Sequence, residues 1–414
     1  MKVVIVANAY PPHVVGGAEL VAAYLAEGLA QRGDEVTVVS TCSAAEGSTE
    51  EMLNGVHVLR FFPRNLWWNL ERFAAGDRRS LPARLAWNLR DSWNPDSAGK
   101  FAAVLARVRP DIVHTHNLKG LSPSLWREAA RLRIPIVHTT HDYWLLCARG
   151  TMLRRDGGAC TRRCLSCEAY GRWYAACARP IDVLCSPSRF VLERHLAHGF
   201  GQGRRTEVIA NGIPLAPRPR PTRSADAPLR VLYIGQLRRE KGVQVLLAAL
   251  PLLRGDVVID IAGSGELEAE VTAAAARHTR LRVHGYVTGP AKAALLAAAD
   301  VLAFPSIWSE NAPIAIVEAL LHGMPVVGSD LGAIPEFVQP RGADANGLLF
   351  PMGDAAGLAA ALDRLAANRA LLAALSAGAS RQAPRYTAGT MVQSYRRLYA
   401  TLAHAGAEAV EKVA

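Results

Sequence analysis

Short runs that are apolar at almost every position alternate, along this chain, with longer stretches in which apolar residues recur every three or four positions. Lys2–Asn8 (KVVIVAN), Ala18–Gly33 (AELVAAYLAEGLAQRG) and Glu35–Thr41 (EVTVVST) form one such series. Arg230–Leu237 (RVLYIGQL), Gly242–Leu253 (GVQVLLAALPLL) and Val257–Gly263 (VVIDIAG) form another. Strands apolar on both faces and joined by helices are the buried strands of parallel βαβ units, so the pattern predicts doubly wound α/β sheets. It restarts after Pro214–Pro228 (PLAPRPRPTRSADAP), whose five prolines exclude a helix interior or a central strand. The predicted organisation is one Rossmann-like domain over residues 1–213, a linker over 214–228, a second over 229–385 and a helical segment over 386–414. Ligands of such sheets bind beyond the carboxyl ends of the strands, and two such edges facing one another would make a cleft.

One predicted helix breaks the expected polarity. Pro313 suits a first turn, and Gly323 with Pro325 ends the run, giving a helix from Pro313 to His322. Ala315, Ile316, Val317, Ala319, Leu320 and Leu321 leave it no broad polar side, yet Glu318 sits in its middle and Glu310 just ahead of it. A buried carboxylate without partners costs several kcal/mol or takes up a proton, so Glu318 needs a partner. In the plainest account Glu310 faces the positive end of the helix dipole and Glu318 pairs with an arginine.

Size and composition narrow the setting. At 414 residues the chain exceeds the length at which single cores stop growing, which agrees with two domains. No apolar run reaches the ~20 residues needed to span a bilayer, and Lys2 followed by VVIVA is a strand rather than a secretory signal, so a cytoplasmic location is expected. The formal charge of +11 favours anionic partners. No nucleic-acid-binding signature accompanies it, which leaves phosphorylated small molecules or a membrane surface.

The two carboxylates form E-x7-E (ENAPIAIVE), between the strand VLAFPS and GMPVVGSD. With YIGQLRREKG, IAGSGE, VHGYV and YPPHVVGGAE in their order along residues 2 to about 385, this chain resembles family 4 of the retaining glycosyltransferases, which have the GT-B fold. The resemblance implies transfer of a sugar from a nucleoside-diphosphate sugar, UDP rather than GDP, to a lipid-linked or glycan acceptor, as in polysaccharide biosynthesis. It implies that Glu318 holds the ribose hydroxyls and Glu310 the donor sugar, with backbone N–H groups of Glu310, Asn311, Ala312 and Ile314 around the helix start facing diphosphate and sugar, and Pro313 shaping that turn. Lys241 would stabilise the leaving diphosphate, and the glycine at Gly235 lets the chain turn after the strand. The family usually places Arg after that glycine; here it is Gln236, and Arg238 is the substitute. Gly16 and Gly17 permit close approach of backbone to a phosphate or sugar. At the ends of the strands in DIVHTHN and IVHTTHDYW, His141 would contact the transferred sugar and His116 the acceptor side. No two aspartates stand two residues apart, so a D-x-D metal site is missing and Lys241 with helix N-termini would replace a catalytic metal ion. A nucleotide-sugar epimerase or a non-catalytic nucleotide-sugar-binding protein could share this scaffold.

Two features stand outside these motifs. Cys147, Cys160, Cys164 and Cys167 are spaced C-x12-C-x3-C-x2-C, a spacing that could close around a structural Zn²⁺, with an iron–sulfur cluster or free thiols as the alternatives. Gly157 and Gly158 would turn the chain between them, and five arginines surround them. The segment Arg60–Pro95 holds four tryptophans and seven arginines, which fits either a membrane-surface stretch or core tryptophans beneath a basic face.

Overall fold

The computed structural model describes residues 1–14, 16–71, 79–154, 158–160, 162–218, 220 and 227–411, with side chains as far as 403. Part of the proline-rich linker (219 and 221–226), Gly157 of the cysteine segment and residues 72–78 of the tryptophan-rich segment lie outside the described residues. The chain divides into two compact units, Met1–Ala210 with Met391–Ala414, and Asn211–Thr390.

The first unit is built on a sheet of β1 (Lys2–Val6), β2 (Glu35–Thr41), β3 (Thr49–Leu53), β4 (Val56–Phe61), β5 (Ile112–Thr115), β6 (Ile136–Thr139), β7 (Val183–Ser186) and β8 (Arg205–Val208). Their spatial order is β3-β4-β2-β1-β5-β6-β7-β8. Every pairing is parallel except β3 with β4, which joins as an antiparallel edge. The apolar runs read from the sequence are the buried centre: Val3, Val4, Ile5 and Val6 are fully enclosed. The sheet is wound outward in both directions from β1 and β5, so the chain reverses direction of travel between them. There His116 N–H donates to the carbonyl of Val6 and Asn8 N–H to that of Asn117.

The second unit repeats the design with β9 (Leu229–Ile234), β10 (Val257–Ala262), β11 (Leu281–Val283), β12 (Val301–Phe304), β13 (Val326–Ser329) and β14 (Gly347–Phe350), in the order β11-β10-β9-β12-β13-β14. All of its pairings are parallel. Its switch point falls between β9 and β12, the strands that precede Gly235–Lys241 and Ser306–Pro313.

The expected C-terminal helical segment is the helix Ala388–Glu411, and its residues from Met391 onward group with the first unit. Met391, Val392, Tyr395, Leu398 and Tyr399 form one buried face at helical spacing. Val392 packs where Gly28, in the helix Gly17–Ala30, carries no side chain, and a Cβ on Gly28 would lie 2.6 Å from a Val392 methyl. Arg396 reaches the buried carboxylate of Asp34 at 2.9 Å. The apolar period of this helix is legible in the sequence, but which sheet it covers is not.

Gly28→Ala should therefore destabilise the first unit by about 1–3 kcal/mol through overpacking. Urea unfolding of the variant measures this, and Val392→Ala added to it should recover most of the loss; an unchanged midpoint in the single variant would contradict the packing described.

Candidate active site

In the second unit, the loops at the carboxyl edge are held to one another by contacts that tolerate no side chain. Gly242, at φ +76°, lies so close to the carbonyl of Pro305 that a Cβ would fall 1.8 Å from its oxygen. The Glu240 carbonyl next to it accepts from Ile307 N–H and Ser306 Oγ, both at 3.1 Å. Gly332, at φ +63°, would clash in the same way with the backbone of Ser309 and Glu310, and Ala333 N–H donates to the Glu310 carbonyl at 3.0 Å. The loops after β9, β12 and β13 thus meet around Glu310.

Glu310 is 4% exposed. Its Oε1 accepts from Lys241 Nζ at 2.8 Å and from Ser306 Oγ at 2.9 Å. The Lys241 ammonium also lies 4.9 Å from the Trp308 ring centroid, a cation–π distance. The motifs 69 positions apart are therefore in direct contact. The helix that follows runs Ile314–Leu321, with Pro313 as N-cap and His322 as C-cap, one residue shorter at each end than expected. Asn311 and Pro313 are buried beside it, and Ala312 and Ile314 are half-buried.

Glu318 has the partner its surroundings demand, and that partner is a lysine. Lys292, from the helix Gly289–Ala298, donates to its Oε1 at 2.5 Å. The arginine expected in the plainest account is absent from this contact. Nothing in AKAALL distinguishes Lys292 from a surface lysine; only the packing of two helices finds it. Arg238, the expected phosphate-clamp substitute, makes an ion pair with its neighbour Glu240 at 2.9 Å and is half exposed, and Arg239 pairs with Glu270 at 3.6 Å. Neither joins the Lys241–Glu310 contact. Gly235 uses its N–H within the fold, donating to Ala262 at 3.0 Å.

In the first unit, His116 and His141 meet at the carboxyl edge of β5 and β6. Their rings stack at 5.0 Å and 16°, and His116 Nδ1 is 2.7 Å from His141 Nε2. His114 lies beneath, with its centroid 4.2 Å from that of His116. Its Nδ1 meets Tyr399 Oη at 2.6 Å and its Nε2 meets Thr139 Oγ1 at 2.8 Å, while Thr139 also meets Tyr395 Oη at 2.9 Å. His114 is thus a core group bonded at both nitrogens. Sequence reasoning missed the two tyrosines because they lie far along the chain. Burial holds the pKa of His114 down to about 3 and that of His141 to about 4, and it pushes that of His116 well below the usual range. All three are therefore neutral at pH 7. Asp142, next to His141, accepts from Asn117 Nδ2 and from Trp144 N–H, both at 2.8 Å, which ties the two strand ends together. Gly17 opens the helix after β1, and the Gly16 N–H is taken by the Glu19 carboxylate at 2.9 Å.

Of the four spaced cysteines, Cys147 is buried, Cys160 and Cys167 are half-buried and Cys164 is exposed. No group of three or more His, Cys, Asp or Glu side chains among the described residues is arranged to hold a metal ion.

Two doubly wound domains, each with polar residues at its switch point, place their candidate ligand sites beyond the carboxyl ends of the strands. Residues 15–216 match the model of Glycosyltransferase Family 4, and residues 228–368 match that of Glycosyl transferases group 1. The chain belongs to this glycosyltransferase family. It is 30% identical to glycogen synthase of Mycobacterium tuberculosis over 380 residues, covering 87% of this chain and 85% of that one. It is 27% identical to the amylovoran biosynthesis glycosyltransferase AmsK of Erwinia amylovora over 352 residues, covering 76% and 84%. Among solved structures, HepE of Anabaena in complex with UDP superposes with a TM-score of 0.69 at 19% identity, over 97% of this chain and all of that one, a likeness of fold.

The buried histidines give the first unit a pH dependence. His114, His141 and His195, the last also held to about 4 by burial, regain the ordinary value of 6.5 on unfolding. The unfolded chain then binds more protons below pH 6.5, so stability falls as pH drops through that value towards the folded-state values. The expected slope is up to about 1.4 kcal/mol per pH unit for each such histidine. Urea midpoints of the full chain at pH 7 and pH 5 test this; equal midpoints would contradict the neutral, buried state of the rings.

Proposed function

We propose that the protein transfers a sugar, with retention of configuration and without a catalytic metal ion, from a nucleoside-diphosphate sugar to a lipid-linked or glycan acceptor at a membrane surface. The observation that carries the reading is the contact of Lys241 with Glu310 at the β9/β12 switch point, 2.8 Å between Nζ and Oε1. There an ammonium offsets the charge that grows on a leaving diphosphate, while the carboxylate accepts from a sugar hydroxyl. Glu318, already held by one cation, offers its second oxygen to a ribose diol. His141, kept neutral by burial, is a hydrogen-bonding partner for a sugar hydroxyl rather than a competing cation. HepE, with the same fold, has been solved with UDP, which makes a uridine donor the first choice. AmsK, a relative by sequence, acts in amylovoran biosynthesis, which favours a polysaccharide acceptor.

The membrane surface rests on a separate observation. No helix among the described residues is long and apolar enough to cross a membrane. The helix Leu81–Ser92, however, turns Trp87 and Asp91 inward and leaves Leu81, Leu85 and Leu89 at 66%, 62% and 64% exposed. Trp68 and Trp87 are core residues, and Leu81, Leu85 and Leu89 fall one per turn on the outward face of the helix. Arg90 on the same helix and Arg64 nearby in sequence are exposed. Outward leucines edged by arginines fit an anionic lipid surface.

Two outcomes are expected. With the donor identified by thermal stabilisation, Glu310→Gln and Lys241→Ala should each lower kcat by roughly 10²–10³-fold. Glu318→Ala should act mainly by raising the donor KM. Transfer should persist in EDTA, and NMR of the product should find the donor's anomeric configuration; inversion, or a Mg²⁺-reversible loss in EDTA, would overturn the mechanism. Replacing Leu81, Leu85 and Leu89 together by Ser should reduce co-sedimentation with phosphatidylglycerol vesicles while leaving transfer to a water-soluble acceptor intact. Equal co-sedimentation of the variant would remove the membrane face.

A further inference from the structure

Two helices of the second unit carry a single charged residue each, and the two charges meet. The helix Gly289–Ala298 (GPAKAALLAA) has Lys292, and the helix Ile314–Leu321 (IAIVEALL) has Glu318. Lys292 Nζ donates to Glu318 Oε1 at 2.5 Å. Among the described residues, Oε2 of Glu318 has no partner. The pair is no core contact, since the side chains of Lys292 and Glu318 are 31% and 15% exposed. A pair this open to water contributes little to folding, because solvent competes for both charges.

Its place in the fold is the ligand edge. Lys292 lies in the first turn of the helix that follows β11, and Glu318 in the second turn of the helix that follows β12. Both helices therefore start at the carboxyl edge of the sheet. Helical side chains lean towards the start of their own helix, which carries both charged heads towards that edge. Glu310, at the same edge, is held in the same manner, with Lys241 and Ser306 both on its Oε1. In each case a lysine fixes one oxygen of a carboxylate. A glutamate left to rotate would have to be ordered by the ligand, at a cost in affinity.

On the ribose reading of Glu318 given above, we infer that Lys292 is a positioning residue for the donor. It fixes Glu318 so that Oε2 faces the 2′,3′-diol of a ribose, and it thereby sets the preference of the site for ribonucleoside over deoxyribonucleoside diphosphates. Lys292 touches no reacting atom and acts through Glu318 alone. A hydroxyl donating to a carboxylate makes a charge-assisted bond, and the strength of that bond depends on the angle at which the oxygen is presented. Without Lys292 the carboxylate is still there, but its direction is no longer set.

The test is calorimetric titration of the full-length protein with UDP and with 2′,3′-dideoxy-UDP, the GDP and ADP pairs being run alongside, and it does not depend on transferase activity. The wild type should bind the ribonucleotide of one pair at least about tenfold tighter than its dideoxy analogue, the size of a hydrogen bond to a charged group. Lys292→Met keeps the length of the side chain and removes the charge. It should cut the ratio to about threefold or less by weakening the ribonucleotide, with the affinity for the dideoxy analogue nearly unchanged. That second affinity needs a folded site but no diol, so it separates positioning from loss of structure. Glu318→Ala should abolish the preference, and Lys292→Met added to it should cost nothing more. A wild type that binds no pair, or both members of every pair equally, overturns the ribose reading and the role of Lys292 with it. A wild type that discriminates, beside a Lys292→Met variant that keeps the same ratio, overturns the role of Lys292 alone. So does a further loss of ribonucleotide affinity in the double variant.

Discussion

Glu310 is a carboxylate almost wholly withdrawn from water, and the loops of the second unit are arranged around holding it in place. Lys241 supplies the opposite charge, Ser306 a hydroxyl donor, and the loops after β9, β12 and β13 close on it. Removing one partner of such a pair leaves an uncompensated buried charge, which costs far more than the pair contributes. The constraint reaches into the backbone: Gly242 and Gly332 are glycine because the chains beside them pass within contact distance at positive φ. A site assembled this way has its charges placed by hydrogen bonds within the fold, the preorganisation on which the proposed transfer would draw.

The first unit solves a different problem with neutral groups. His114, His116 and His141 form a stack in which burial removes the option of charge, so their order comes from hydrogen bonds alone. The bottom of the stack is fixed by Tyr399 and Tyr395, from a helix contributed by the far end of the chain. The C-terminal helix is thus part of the support of the histidine edge, and its buried face is structural in both senses: it covers the sheet and sets the donors beneath His116.

At the surface the usual polarity is inverted locally. The helix Leu81–Ser92 hides an aspartate and shows leucines. Asp91 is not wasted inside, since its Oδ1 accepts the Gly120 N–H at 2.8 Å, at the turn that follows His116. The inward polar group holds the fold, which leaves the outward apolar ones without a folding role.

The sequence by itself determined the two doubly wound sheets, the strands at their centres, the E-x7-E pair and the lysine loop, because each is written in local patterns: continuous apolar runs, helical periods, and glycines where the chain must turn. It also determined that Glu318 required a partner. Only the tertiary structure decided that this partner is Lys292, that Arg238 turns to Glu240, that Gly16 spends its N–H on Glu19, and that the last helix returns to the first sheet. Each of these depends on which of several chemically equivalent side chains or surfaces arrives at a given point. That is fixed by packing between elements distant in sequence, where an alanine-rich helix bearing one lysine reads the same whether the lysine meets water or a buried carboxylate.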